Sequence, residues 1–109
     1  IEASARSGAA VVELHTGHYC DLHAEGRRSE RDAELAALAE GARLAHSLGL
    51  EVHAGHGLTY DTVGPVAAFP EVRELNIGHF LIGEAIFVGL AAAIAEMRRQ
   101  MDEARASSP

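Results

Sequence analysis

A chain of 109 residues, 48% hydrophobic and 23% charged, has the size and composition of one globular domain. Nine arginines and no lysine stand against sixteen acidic residues, and the formal charge of −7 argues against a nucleic acid or an anionic membrane as partner. A phosphorylated ligand is not excluded, because backbone N–H groups and helix N-termini bind phosphates without net positive charge.

The single cysteine, Cys20, cannot form an internal disulfide, which is typical of proteins in a reducing compartment. Residues 1–8 contain no apolar run of the kind found in a secretory signal. The longest apolar stretch, residues 80–95, is interrupted by two glycines and a glutamate and is too broken for a membrane span. We therefore expect a soluble, cytoplasmic protein.

One six-residue pattern occurs three times: Glu, an aliphatic residue, His or Asn, any residue, Gly, His. The copies are Glu13–His18, Glu51–His56 and Glu74–His79. Alternation of polar and aliphatic residues is the period-two pattern of a β-strand, and helical patterns follow the first and third copies, as in a parallel βα sheet. We predict adjacent parallel strands over residues 10–15, 50–54 and 73–77.

The predicted strands have one aliphatic face and one polar face, with Glu13, Glu51 and Asn76 on the polar side. A parallel sheet normally has helices covering both faces, so a consistent polar face needs an explanation. In a barrel the polar side chains would face the axis, and the glycines would end the strands at the C-terminal rim, where barrel enzymes carry their active sites. The predicted class is α/β, with three strands that are under half of a (β/α)8 TIM barrel.

The connections between the strands carry helix signals of different lengths. An apolar stripe predicts a long helix before the second strand, started by a capping box at Ser29 and Asp32 and stopped at Gly49. Pro65 limits the second connection to a helix of one or two turns. The last helical segment contains Gly83 and Gly89, which allow either close packing or a break into two helices.

Four segments carry a family resemblance: residues 48–60, 74–80, 85–90 and 12–17 resemble pyridoxine 5′-phosphate synthase. The similarity covers nearly the whole chain. It implies that residues 1–109 are the C-terminal part of a single TIM-barrel domain and contribute its last three strands. It also implies the condensation of 1-deoxy-D-xylulose 5-phosphate with 3-amino-2-oxopropyl phosphate, without an organic cofactor. A homo-oligomer, an octamer in that family, is implied as well.

The resemblance further implies roles for five residues. His56 matches the family's proton donor, and Glu13 matches a carboxylate that assists the transition state. Gly57, Gly78 and His79 would hold the phosphate of the amino-ketone substrate. The residue types suit these roles, because imidazole titrates near neutral pH and glycine lets the backbone approach an anion. The alternatives are a structural carboxylate at Glu13 and an ordinary tight turn at Gly78.

Several features stay without a functional role. Residues 19–28 depart from the family pattern, and His15 and His53 are expected to fill side-chain layers. Histidines three apart on a strand that ends in a turn do not converge on one ion, so no metal site is predicted. Two other functions remain open: another TIM-barrel enzyme acting on a sugar phosphate, and a His-rich metal-binding or scaffold domain. An aldolase is disfavoured because no lysine is available for a Schiff base.

Overall fold

The computed structural model describes residues 1–107 as an α/β fold built on a parallel sheet. Its elements are α1 (Glu2–Arg6), β1 (Val11–His15), α2 (Gly17–Ala24), α3 (Arg28–Ser47), β2 (Glu51–Gly55), α4 (Val63–Ala67), β3 (Val72–Asn76), α5 (His79–Val88) and α6 (Leu90–Ala106). The strands lie in the order β1–β2–β3, and both pairings are parallel. The prediction of three adjacent parallel strands is confirmed, with each strand within one residue of its expected range.

The aliphatic face of the sheet packs against the helices, as the alternation predicted. Leu14, Val52 and Ala54 are buried there, and Val12 and Leu75 pack against them. The stripe of α3 supplies the opposing surface through Leu38, Ala42 and Ala45. Because these residues exclude water from one side of the sheet, the register of the strands fixes which side chains project from the other side.

The polar face consists of side chains aligned in rows across the strands. Glu13 is the register partner of His53, and His53 is the partner of Glu74. The β2–β3 pairing shifts after Val52, which leaves Arg73 as the additional residue of a bulge. Without this shift the polar side chains of β3 would not meet those of β2, because one residue of slippage moves a side chain to the opposite face.

The connection from β1 to β2 differs from its prediction. It contains two helices, α2 and α3, and α3 begins after Arg27, which makes no side-chain cap hydrogen bond. The expected capping box is therefore wrong, because Ser29 already lies in the first turn of the helix. Gly26 ends α2 at a positive φ of 72°, and the Arg27 guanidinium pairs with Glu25 and Glu30 at the helix start. The C-terminal stop is confirmed: Gly49 has a φ of 82°.

The last helical segment breaks at Gly89, one of its two expected outcomes. Gly89 has φ 87° and ψ 151°, a conformation outside any helix and favoured by glycine. The helix before the break, α5, exposes Ile82, Ile86 and Phe87, with exposed fractions of 61%, 79% and 84%. Within residues 1–107, no helix combines the length and the apolar character required to cross a bilayer.

Arg105 ties the end of α6 to the segment that enters β3. Its guanidinium donates to the carbonyl oxygens of Ala67, Phe69, Pro70 and Val72 at 2.7–3.2 Å. These carbonyls belong to the end of α4, to the loop that follows it and to Val72, the first residue of β3. The contact therefore fixes where β3 enters the sheet.

Candidate functional site

The residues proposed from the sequence gather at the carboxyl edge of the sheet. His15 and Gly55 are register partners, and Gly55 in turn pairs with Asn76. His56 and Gly57 directly follow β2, and Gly78 lies two residues beyond β3. Because the strands are parallel, all three chain exits lie on the same side.

His56 occupies a strained turn. Its φ is 87°, and Gly57 follows with a φ of 80°. A non-glycine residue in left-handed conformation costs roughly 1–2 kcal/mol, so the surrounding structure must hold it there. Gly57 has a second reason to be glycine, because a Cβ at that position would lie 3.2 Å from the Cβ of Cys20. The turn presents the exposed imidazole of His56 above the end of β2.

The backbone of this turn rests on Thr16, which is fully buried. The Thr16 N–H donates to the Gly55 carbonyl at 2.9 Å. Its Oγ1 lies 2.8 Å from the same oxygen and 2.7 Å from the carbonyl oxygen of His56. Farther along α2, the Tyr19 hydroxyl donates to the carbonyl of Thr62 at 3.0 Å. The first turn of α2 is thus a platform for residues 55–62.

The rings of His15 and His56 stack on each other. Their centroids are 4.4 Å apart and their planes differ by 25°. The Gly17 N–H donates to Nδ1 of His15 at 3.2 Å, which fixes one edge of that ring. A Cβ on Gly17 would lie 2.5 Å from Cε1 of His15 and 2.8 Å from Cδ2 of His56. The absence of a side chain at Gly17 is what leaves room for the pair.

Glu13 reaches across the end of β2. Asn76 donates from Nδ2 to Oε1 of Glu13 at 2.6 Å, although the two residues belong to the outer strands β1 and β3. The intervening residue is Gly55, where a Cβ would lie 2.8 Å from that same Oε1 and 2.6 Å from the Asn76 carbonyl oxygen. Because Gly55 has no side chain, the Glu13 carboxylate can lie over the end of β2, against the residue that directly precedes His56.

His53 lies on β2 two residues before Gly55 and contacts two carboxylates. Its Nε2 lies 2.6 Å from Oε2 of Glu51, and its Nδ1 lies 3.0 Å from Oε2 of Glu74. The ring is 16% exposed. Because Glu51 lies on the same strand and Glu74 on the neighbouring one, the His53 ring links β2 to β3.

Gly78 and His79 form the start of α5. Gly78 is the N-cap and its carbonyl accepts from the Ile82 N–H at 3.0 Å. The first N–H groups of a helix have no partner within the helix, Gly78 and His79 are exposed, and a Cβ on Gly78 would meet nothing within 4 Å. In the described part of the chain, no hydrogen bond joins this turn to His56 or Gly57.

A cleft of about 490 Å³ opens beside His56, between α2 and residues 57–62. Two smaller cavities lie away from the histidine pair, one between β3 and α6 and one at the amino ends of β2 and β3. Cys20 lines the cleft, and burial raises the pKa of its thiol, which favours the protonated form. Among residues 1–107, no three His, Cys, Asp or Glu side chains are arranged to bind one metal ion.

Comparison with known proteins assigns the chain to a family. The model of the family "Pyridoxal phosphate biosynthesis protein PdxJ" matches residues 1–103. The chain belongs to this family. The pyridoxine 5′-phosphate synthases of Cereibacter sphaeroides and Ruegeria pomeroyi are each 76% identical to it, over 105 and 106 residues. That of Caulobacter vibrioides is 62% identical over 105 residues.

These alignments cover 96%, 97% and 96% of the chain but only 42%, 43% and 41% of the respective relatives. The chain therefore spans about two fifths of the length of the curated PdxJ relatives it matches.

Sequence reasoning missed the residues that support the histidine pair. Thr16 and Gly17 were interpreted only as part of a repeated strand end, and Tyr19 lies in the segment left without a role. A local signal was present for Gly17, because a glycine directly after a strand often marks close approach of another group. No local signal identified Thr16, whose partners are 39 and 40 residues away.

Proposed function

We propose that this chain is part of a pyridoxine 5′-phosphate synthase. The reaction condenses 1-deoxy-D-xylulose 5-phosphate with 3-amino-2-oxopropyl phosphate and releases water and inorganic phosphate. The observation that carries the proposal is that an exposed histidine, His56, and the carboxylate of Glu13 lie at the same edge of the sheet in a member of the PdxJ family. The high identity to synthases from three genera supports it.

The same proposal extends to the complete fold. We infer that residues 1–109 are the C-terminal part of a (β/α)8 TIM barrel whose other strands come from the rest of the protein. A polar sheet face and an apolar surface on α5 support this, since both need a covering layer that the described residues do not provide. The complete enzyme would act in the cytoplasm as a homo-oligomer, an octamer by family resemblance, and would need no organic cofactor.

The chemistry assigned to His56 is proton donation to a leaving hydroxyl group. An imidazole can give and recover a proton near neutral pH, and His56 is exposed directly after the end of β2. Glu13 would stabilise positive charge that develops on the imine, because its carboxylate already lies over the end of β2. Asn76 holds that carboxylate in place.

The phosphate of the amino-ketone is assigned to Gly57, Gly78 and His79. The first turn of α5 offers unpaired N–H groups and the positive end of a helix dipole. Gly78 is unobstructed on its Cα side, so a phosphate oxygen could approach the backbone closely. Since net charge is negative, this local arrangement must supply the attraction for the anion.

The proton-donor role is tested by His56→Asn in the full-length protein. A general acid contributes typically 10²–10⁴-fold, so turnover should fall by at least about 100-fold while the Michaelis constants change little. His46→Asn is the matched control, because His46 is exposed on α3 and lies beside the amino ends of β2 and β3, away from the carboxyl edge of the sheet. Turnover of His56→Asn close to wild type would remove His56 from the chemistry.

The phosphate site is tested by Gly78→Val against Gly78→Ala. Neither substitution meets an obstacle in the fold, because an added Cβ finds nothing within 4 Å. The valine branches should block the approach of a phosphate and so weaken binding of the phosphorylated amino-ketone, with a smaller loss of affinity for alanine. Calorimetry measures the affinity of each variant. Equal, wild-type affinity in both variants would refute the assignment.

A further inference from the structure

Thr16 holds a position that neither the family pattern nor the proposed chemistry explains. Its side chain is fully buried between the end of β2 and the start of α2. Its Oγ1 lies within 2.8 Å of the Gly55 carbonyl oxygen and 2.7 Å of the His56 carbonyl oxygen. A hydroxyl has one proton, so it donates to only one of these oxygens at a time.

The other hydrogen bonds of the Gly55 and His56 carbonyls indicate which of them receives the Thr16 hydroxyl proton. The Gly55 carbonyl already accepts from the Thr16 N–H at 2.9 Å. Within residues 1–107, the other hydrogen-bond donor to the His56 carbonyl is the Cys20 thiol, whose sulfur lies 3.9 Å away, and a thiol is a weak donor. Donation from Thr16 to His56 therefore gives the buried Gly55 carbonyl and the part-buried His56 carbonyl one donor each.

The His56 carbonyl belongs to a residue whose backbone is strained at a φ of 87°. Strained conformations persist only where neighbouring contacts over-determine them. Loss of the hydroxyl would free the peptide that joins His56 to Gly57, and the ring attached to that backbone would leave its stack on His15. A displacement of about 1 Å at a catalytic group can lower turnover by about 100-fold.

We propose that Thr16 is the positioning residue for His56: its hydroxyl holds the left-handed turn and thereby sets the location of the imidazole. Thr16 contacts no reacting atom in this proposal and acts only through the His56 backbone. The inference rests on the proposed proton-donor function of His56, but the geometric part stands independently of the reaction.

The test compares Thr16→Val, Thr16→Ser and Thr62→Val in the full-length enzyme. Valine replaces the hydroxyl by a methyl group, which cannot approach a carbonyl oxygen to 2.7 Å, whereas serine keeps the donor. Thr62→Val is the matched control. Thr62 is also buried, at 2% exposed, and its Oγ1 accepts from the Thr59 N–H and, at 3.7 Å, from the Cys20 thiol, with no hydrogen bond to His56.

We expect Thr16→Val to lower kcat by about 10-fold to 100-fold with Michaelis constants changed by less than about threefold, and Thr16→Ser to restore most of the loss. Thr62→Val should reduce stability but keep kcat. Crystal structures of the variants give a readout that does not depend on activity: the His15–His56 centroid separation should exceed 4.4 Å only in Thr16→Val. If Thr16→Val does not fold, Thr16→Ala takes its place, because alanine removes the hydroxyl without a clash.

An unchanged ring stack in Thr16→Val, or an equal loss of kcat in Thr62→Val, overturns the positioning role. Equal activity of Thr16→Ala and Thr16→Ser overturns it as well, because only serine keeps the hydroxyl. A wild-type full-length protein that forms no pyridoxine 5′-phosphate would refute the proposed function, and the crystal structures would still decide whether Thr16 positions His56.

Discussion

Replacing Gly17 with alanine perturbs the stacked histidines directly. The new Cβ would lie 2.5 Å from Cε1 of His15 and 2.8 Å from Cδ2 of His56, whereas carbon atoms in contact sit about 3.5–4.0 Å apart. At least one ring must therefore move by roughly 1 Å. We expect a loss of about 1–3 kcal/mol in the free energy of unfolding, the usual effect of overpacking, and a fall in turnover of about 100-fold.

The assay measures turnover and urea unfolding of Gly17→Ala beside Gly64→Ala in the full-length protein. Gly64 is the matched control, because it lies in α4 and its added Cβ would make one ordinary contact, 3.9 Å from Ala104. Gly64→Ala should keep turnover and stability near wild type. If Gly17→Ala also kept its turnover within about twofold, the stacked pair could not be the geometry that catalysis requires.

Three further predictions concern stability. His53→Asn removes the ring that bridges the carboxylates of Glu51 on β2 and Glu74 on β3. The free energy of unfolding should fall by about 1–2 kcal/mol with little effect on turnover. A large loss of turnover at wild-type stability would instead indicate a catalytic role for His53. Arg105→Met removes four hydrogen bonds to carbonyls and should lower the free energy of unfolding, measured in urea, by about 1.5–3 kcal/mol. Arg98→Met, at an exposed ion pair, should change it by no more than about 0.5 kcal/mol. Similar losses in both variants would contradict the role of Arg105 in holding the start of β3. Glu96 accepts hydrogen bonds from Arg99, which lowers the pKa of its carboxyl from 4.5 to about 2, so its stabilisation is present above pH 4.5 and is lost as the pH falls towards 2. The difference in free energy of unfolding between wild type and Glu96→Gln should therefore disappear as the pH falls from 4.5 to about 2. A difference that does not change with pH would show that the ion pair with Arg99 is not its source.

The supporting residues of the site explain why these perturbations are specific. Thr16 and Gly17 stand next to each other, yet one fixes the backbone of His56 and the other leaves space for its ring. Substitution at either position should therefore displace the same imidazole by a different route. Gly55 makes the corresponding space for Glu13.

The sequence by itself determined the strands and the two faces of the sheet. Alternation in Glu13–His18 and its two copies reports which side chains meet solvent and which meet the core, and that information is local. The positive φ of Gly49 and the short helix around Pro65 were also predictable, because glycine and proline restrict or permit particular backbone angles wherever they occur. The capping box at Ser29 failed, since the chain had already entered α3 before reaching it.

Only the tertiary structure decided which side chains meet. The Thr16 hydroxyl and the His56 carbonyl are 40 residues apart, and the Arg105 guanidinium reaches carbonyls 33–38 residues away. The break at Gly89 was likewise open in the sequence, where glycine permits both a continuous and an interrupted helix. Periodicity and backbone preference fix how each segment folds and which face it buries. The partner of an individual polar atom depends on which segments are adjacent in space and in what register, and that is set by the packing of the whole fold.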